Sequence, residues 1–291
     1  MEIALQLLIN TLIPAALFGL MASGFSVFLN VAKIVDLSQG ALVLISGYSF
    51  FAALQHGATI LIGILLSSVV TITVALLING FIYERLRRNR KLSQVIAMIA
   101  SAGVLLLLQN SFLAIFGSRT KVINLPIKNL EPIAFGDATI TWWQIIIVTV
   151  SALAWIALYS FLKKTRVGTA LRATADNAEV AEIVGISARV SRRNAMLIAA
   201  TVCSIAGILA SLEYNLDPNQ GVDIAIKDFS RAVIGGVGSV PGAMLGSFVI
   251  QTAEELGGWF WNAAYKQVIS LMLVFIFLIW KPTGILGKKK I

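Results

Sequence analysis

The run Gly235-Gly236-Val237-Gly238-Ser239-Val240-Pro241-Gly242 has the small side chains with which a loop can cradle phosphate on bare backbone amides. A nucleotide-binding loop of that kind also needs Gly-Lys-Ser/Thr opening a helix after a strand, and no lysine or arginine lies between Arg231 and Lys266. The motif is absent elsewhere too, so ATP hydrolysis by that route is excluded and any coupling to ATP must come from another subunit. The remaining reactive groups stand alone. Cys203 is the single cysteine, inside an apolar stretch, so neither an intrachain disulfide nor a thiolate cluster can form. His56, the single histidine, follows Gln55 in a short turn, where it reads as an interfacial loop residue. Glu213, Glu254 and Glu255 fall at or near the ends of apolar segments, and no ladder of intramembrane carboxylates and histidines suited to a proton-driven carrier is present. No catalytic constellation emerges, and no metal site or cofactor is expected.

The elements that carry these residues are set by composition. Hydrophobic residues make up 58% of the 291 and charged residues 13%, against about 25% charged in a soluble domain. Eight apolar segments follow, at roughly 4–29, 37–54, 58–82, 94–117, 141–162, 194–215, 229–256 and 265–280, most of them long enough to cross about 30 Å of hydrocarbon as helices. The expected fold is an all-α integral membrane protein forming one transmembrane domain over residues 1–291. The net charge of +9 is gathered in clusters at 85–91, 163–193 and 281–290, which the positive-inside rule places together on the cytoplasmic face, near anionic headgroups and not on nucleic acid. By parity the connection at about 118–140, with Pro126, Pro132 and Gly136, is external and partly ordered. Trp142, Trp143, Trp259 and Trp261 then mark the outer interface and Trp280 the inner one. The same parity puts the C-terminus in the cytoplasm and the N-terminus outside.

Two full crossings after residue 229 would strand the lysine tail on the wrong side. Gly235 to Gly242 therefore reads as a break at which the segment turns back, since Gly and Pro could hardly continue a straight helix. Backbone freed at membrane depth is tolerated only where it is buried in protein or lines a watery cavity. A second interruption, Val35-Asp36-Leu37-Ser38-Gln39-Gly40, offers Asp36 and Ser38 as helix caps, with Gly40 to Tyr48 as the helix they start. Broken helices at corresponding positions of two halves are how repeat-built transporters form a substrate site. The pathway candidates are therefore Asp36, Ser38, Gln39, Gly40, Gly235, Gly236, Gly238, Ser239, Pro241 and Gly242. An ordinary capped helix after a turn accounts for the first group as well, and close packing for the second, as in Gly242-Ala243-Met244-Leu245-Gly246.

The soluble stretch Thr165 to Ile186 carries Leu171, Ala175 and Ala178 on one helical face. Asp176 or Asn177 can cap a second short helix and Gly185 can end it. Such a stub suits docking into a partner's groove; a solvated linker, the plainer alternative, would not need Ala and Val at helical spacing.

This loop, the glycine-rich break, the ending Lys281-Pro282-Thr283-Gly284-Ile285-Leu286-Gly287 and Val35 to Gly40 together resemble the LivH-type permeases of branched-chain amino-acid ABC transporters. The likeness runs across nearly the whole chain. It implies an inner-membrane subunit that works with a homologous LivM-like permease, two ABC ATPase subunits and an extracytoplasmic substrate-binding protein. It also implies that Arg172, Ala173, Asp176, Asn177, Ala181, Val184, Gly185 and Ile186 belong to a loop coupling to the ATPase. Related permeases carry ribose-type sugars, urea or short amides. A stand-alone carrier or channel, and an intramembrane enzyme, are the readings from other classes.

Overall fold

In the computed structural model, residues 2–88, 94–125, 131–135, 138–260, 262–281 and 283–287 are described. Long apolar runs become helices because hydrocarbon offers the backbone no partner but itself. The order is α1 (Glu2–Ala32), α2 (Ser38–Gln55), α3 (Ile60–Ile78), a π-helical turn (Asn79–Tyr83), α4 (Glu84–Arg88), α5 (Gln94–Phe116), the hairpin β1 (Ile133–Phe135) and β2 (Ala138–Ile140), α6 (Trp142–Lys164), α7 (Arg166–Asp176), α8 (Ala178–Ile183), α9 (Ala188–Glu213), α10 (Gln220–Gly235), α11 (Val240–Phe260) and α12 (Lys266–Trp280). Five spans among the described residues are long and apolar enough to cross a membrane, and the bent pair α10 and α11 makes a sixth if it counts as one. This is a multi-pass membrane protein.

Burial sorts the helices. α1 is enclosed by α6, α9, α10 and α11, and α2 by α3, α5, α9 and α10, so both are covered almost all round. α3, α5, α6 and α12 instead turn Leu61, Leu65, Ile99, Leu107, Leu153 and Phe275 outward, the pattern of helices whose outer face meets lipid. The interior helices hold small polar side chains that bond across to neighbours. Ser46 Oγ donates to the Ser204 carbonyl at 2.7 Å and Ser67 Oγ to the Ser46 carbonyl at 2.8 Å, joining α2, α3 and α9 as polar contacts do in apolar surroundings.

At one end of the bundle the connections interlock. Lys121 and Leu216 exchange two backbone bonds at 2.9 Å, and Glu213 accepts from Trp143 Nε1 at 2.6 Å and from Gln144 Nε2 at 3.2 Å. Gln6 Oε1 accepts the Thr139 amide at 2.9 Å. The start of α1 thus lies on the same side as the 118–140 connection, in which β1 and β2 pair antiparallel with Ile133 opposite Ile140. Pro126, Gly136, Trp261, Pro282 and the lysines at 288–290 lie outside the described residues.

Candidate functional site

α10 stops because its C-cap, Gly236, adopts φ 111°, and the chain turns through Gly238 at φ 83°; left-handed backbone of this kind favours glycine. α11 starts at once. Ser239 Oγ accepts the Gly242 amide at 3.1 Å, an N-cap, and Pro241 sits in the first turn where its missing N–H costs nothing. The two helices meet at 111°. The carbonyls that α10 leaves open are taken up by the C-terminal segment: Ile285 donates to Ile234 at 2.8 Å and Leu286 to Gly235 at 2.9 Å. Asn30 Nδ2, in the last turns of α1, donates to the Gly238 carbonyl at 3.0 Å.

The turn borders a cleft of 570 Å³. Gly238, Ser239 and Pro241 form one wall, Asn30 and Lys33 a second, and Lys163, Arg172 and Asp176 of α6 and α7 a third. The break therefore lies near the end that carries the basic loops. The reason is that α10 begins at Gln220, not near 229. Its first turns contain Asp223, Lys227 and Asp228 and are invisible to hydropathy, yet they give the half-helix that enters before the break 16 residues, about 24 Å of reach.

The other interruption is built differently. Lys33 takes a left-handed φ of 56° and ends α1, and Arg87 donates to the carbonyl of Ala32. α2 then begins at Ser38, not Gly40. Asp36 Oδ1 accepts the amide of Ser38 at 2.9 Å and its hydroxyl at 2.5 Å, as well as Tyr83 Oη at 2.5 Å. The π-helical turn places Tyr83 there. Ser101 Oγ of α5 accepts the Leu37 amide at 3.1 Å. Asp36, Ser38 and Gln39 are all buried, and Gly40 lies against the Gly221 carbonyl and Ala225, leaving no space for a side chain.

The expected pathway set is thus divided by the fold. Gly238, Ser239 and Pro241 face the cleft. Asp36, Ser38, Gln39 and Gly40 do not; they fix α2 to the π-helical turn, α5 and α10. Gly235, Gly236 and Gly242 form the backbone-to-backbone contact of the turn, since a side chain at Gly235 would run into Gly242.

A buried ion pair also emerges that the apolar segmentation passed over. Arg231 Nη1 lies 3.3 Å from Asp228 Oδ1, and the guanidinium sits 4.2 Å from the centre of the Phe18 ring. Both charged residues are inside the bundle, and nearby Glu254 accepts from Ser270 Oγ at 2.6 Å. The signal available in sequence was an Asp and an Arg three apart, on one helical face, in a segment that re-enters an apolar bundle.

At the basic end α7 and α8 form a helical elbow. Thr165 caps α7 by accepting the Gly168 amide at 3.0 Å, and Asn177 Oδ1 caps α8 by accepting from Glu179 at 3.0 Å and Val180 at 3.2 Å. Gly185, at φ 86°, ends α8, with Ile186 donating back to Ala181 at 2.9 Å. Leu171, Ala175 and Ala181 are buried. Ala181 therefore packs inward against the bundle and cannot meet a partner, unlike Arg172, Asp176, Asn177, Val184 and Gly185, which are exposed, and Ala173 and Ile186, which are partly so. The outer surface of α8 shows Val180, Ile183 (84% exposed) and Val184 together, an apolar patch at the polar end of the molecule.

Residues 7–278 match the family described as the branched-chain amino acid transport system permease component. The chain belongs to that family. It is 29% identical over 302 residues to the high-affinity branched-chain amino acid transport system permease protein BraD of Pseudomonas aeruginosa, a match covering 99% of this chain and 97% of that protein. It is also 29% identical over 299 residues to the permease protein LivH of Escherichia coli, covering 99% and 96% respectively. Among solved structures, PsaBC from Streptococcus pneumoniae in complex with a Fab superposes with a TM-score of 0.53 at 15% identity, over 95% of this chain and 92% of that one; this likeness concerns the fold. For this permease-family member, four sequence motifs fall on three structural parts: the α1–α2 interruption, the α7–α8 elbow, and a closed turn made jointly by Gly235–Gly242 and the 283–287 segment.

Proposed function

We propose that this chain is a transport subunit of an ATP-driven importer and moves branched-chain or similar neutral amino acids across the cytoplasmic membrane. It would pair with a homologous permease, two ATPase subunits and an extracytoplasmic substrate-binding protein. The basic end of the bundle would face the cytoplasm, and the hairpin end, with the start of α1, would face outward. The chain would bind no cofactor of its own, ATP being held by the partner ATPase.

One observation carries this reading beyond the family match: the elbow and the break share a cleft. Arg172 and Asp176 of α7 line the same 570 Å³ space as Gly238, Ser239 and Pro241. An ATPase that seats on the apolar face of α8 would push on α7, and α7 borders the turn on which the bent pair pivots. The transmitted change would be a rigid-body movement of packed helices, the usual form of such switches. Affinity for the solute would reside mainly in the separate binding protein, so the passage itself needs only polar backbone and small side chains.

The test is Ile183→Glu, which places a charge in the patch without burying it. The variant should insert and fold as the wild type does, yet lose co-purification of the ATPase and coupled uptake of leucine, isoleucine or valine. A bulky acidic residue at Ala173 or Gly185 should act likewise. Uptake and ATPase recruitment at wild-type levels in these variants would overturn the docking assignment. Transport by the chain alone under an ion gradient would overturn the whole reading in favour of a stand-alone carrier.

A further inference from the structure

On the basic end, away from the cleft, a groove of 600 Å³ runs between the π-helical turn with α4 and the first turns of α9. Arg85, Arg87, Arg189 and Arg192 line it around a single carboxylate, Glu84. Glu84 receives Arg192 Nε at 3.3 Å and Arg189 Nε at 3.5 Å, and Arg87 is anchored to the end of α1 through the Ala32 carbonyl. Four guanidiniums thus line one groove with a single carboxylate, which pairs with two of them, and their planar forks match phosphate oxygens. On its outward side the groove changes character. Gly80 leaves open space where a side chain would stand, and Phe81 is 69% exposed with Leu77 one turn behind it on the same apolar face of α3. A cationic pocket that continues into an uncovered apolar lane matches an amphiphile with an anionic phosphate head.

We propose that this groove is a binding site for an anionic phospholipid, its phosphate held by Arg85, Arg189 and Arg192 and its acyl chains lying along Phe81 and Leu77. Basic pockets between transmembrane helices at the cytoplasmic side hold such headgroups. A free phosphate satisfies the arginines but leaves Phe81 uncovered, and an acidic protein surface leaves the apolar lane unexplained. The bound lipid would tie α3 and α4 to α9, the helix that follows the elbow, and so set the position from which α9 enters the membrane.

The experiment is native mass spectrometry of the intact transporter released from nanodiscs that contain cardiolipin, phosphatidylglycerol and phosphatidylcholine. Wild type should retain an anionic lipid over phosphatidylcholine. The double variant Arg85→Ala/Arg189→Ala removes two exposed side chains and should weaken retention roughly thirtyfold, the loss of two arginines' attraction to a headgroup. A control, Lys164→Ala/Arg166→Ala, removes the same charge outside the groove and should retain lipid as wild type does. Equal loss in both double variants would show general charge attraction and overturn the site. So would competition by inorganic phosphate at the concentration at which lipid binds, or a photo-crosslinker in place of Phe81 that captures a protein partner and no phospholipid.

Discussion

The side-chain amide of Asn30 donates to the carbonyl of Gly238 at 3.0 Å, so the last turns of the most enclosed helix are fastened to the one place where the bent pair has no helical bonds of its own. Removing the donor leaves a partly buried carbonyl without a partner, which costs about 1–3 kcal/mol. Asn30→Leu should lower the melting temperature of the purified protein and reduce uptake, while membrane insertion is unchanged. A melting curve identical to wild type would show that Asn30 does not hold the turn.

Gly238→Ala tests the same junction from the other side. At φ 83° a side chain is strained by about 1–2 kcal/mol, and the added Cβ would stand 2.7 Å from Asn30 Cγ. The double variant Asn30→Ala/Gly238→Ala removes the collision but not the strain. The double variant also lacks the Asn30 bond, so its loss of melting temperature should be smaller than the sum of the two single losses, and a purely additive loss would refute the collision.

The pair Asp228 and Arg231 is closed off from solvent. Losing one partner strands the other charge in an apolar interior, a penalty of about 3–5 kcal/mol, whereas replacing both by apolar residues is far milder. Asp228→Leu and Arg231→Met should each fail to yield folded protein or melt much earlier. The double variant should recover most of that stability in detergent, and recovery without uptake would assign the pair to transport and not to folding alone.

Tyr83→Phe removes the 2.5 Å bond to Asp36, while Ser38 still holds the carboxylate through its amide and hydroxyl. The Tyr83 hydroxyl also lies 3.5 Å from Ser38 Oγ, and leaving buried partners unsatisfied costs about 1–3 kcal/mol. Tyr83→Phe should therefore destabilise more than Tyr48→Phe, whose hydroxyl reaches only a backbone carbonyl at 3.3 Å. Thermal unfolding of the two variants side by side checks the order.

Sequence showed clearly whatever is local. Apolar length located the five long apolar helices among the described residues, and the sequence narrowed the cap of α8 to Asp176 or Asn177 and offered Gly185 as its stop, because capping is decided within four residues. The break itself was legible for the same reason. Its depth was not, because the polar turns with Asp223, Lys227 and Asp228 break the hydropathy signal of a helix that is nonetheless enclosed on one face. The roles of Asp36 and Arg231 were hidden for a different reason. Tyr83 and Phe18, which meet them, are distant in the chain and are brought in by helix packing, and no periodicity in one segment reports on its neighbour. Ala181 shows the converse: helical spacing marks a face as apolar without saying whether the bundle or a partner covers it.

The bonds from Ile285 and Leu286 to the end of α10 bear on how the protein is made. α10 and α11 leave the ribosome before α12, so while they enter the membrane the Ile234 and Gly235 carbonyls lack their eventual donors. Only once α12 has been made and residues 283–287 reach the end of α10 does the hairpin become a finished unit. A nascent chain arrested after α11 therefore presents an unsealed edge to quality-control proteases, and biogenesis, more than the mature bundle, is where changes at Gly284 to Gly287 would be felt first.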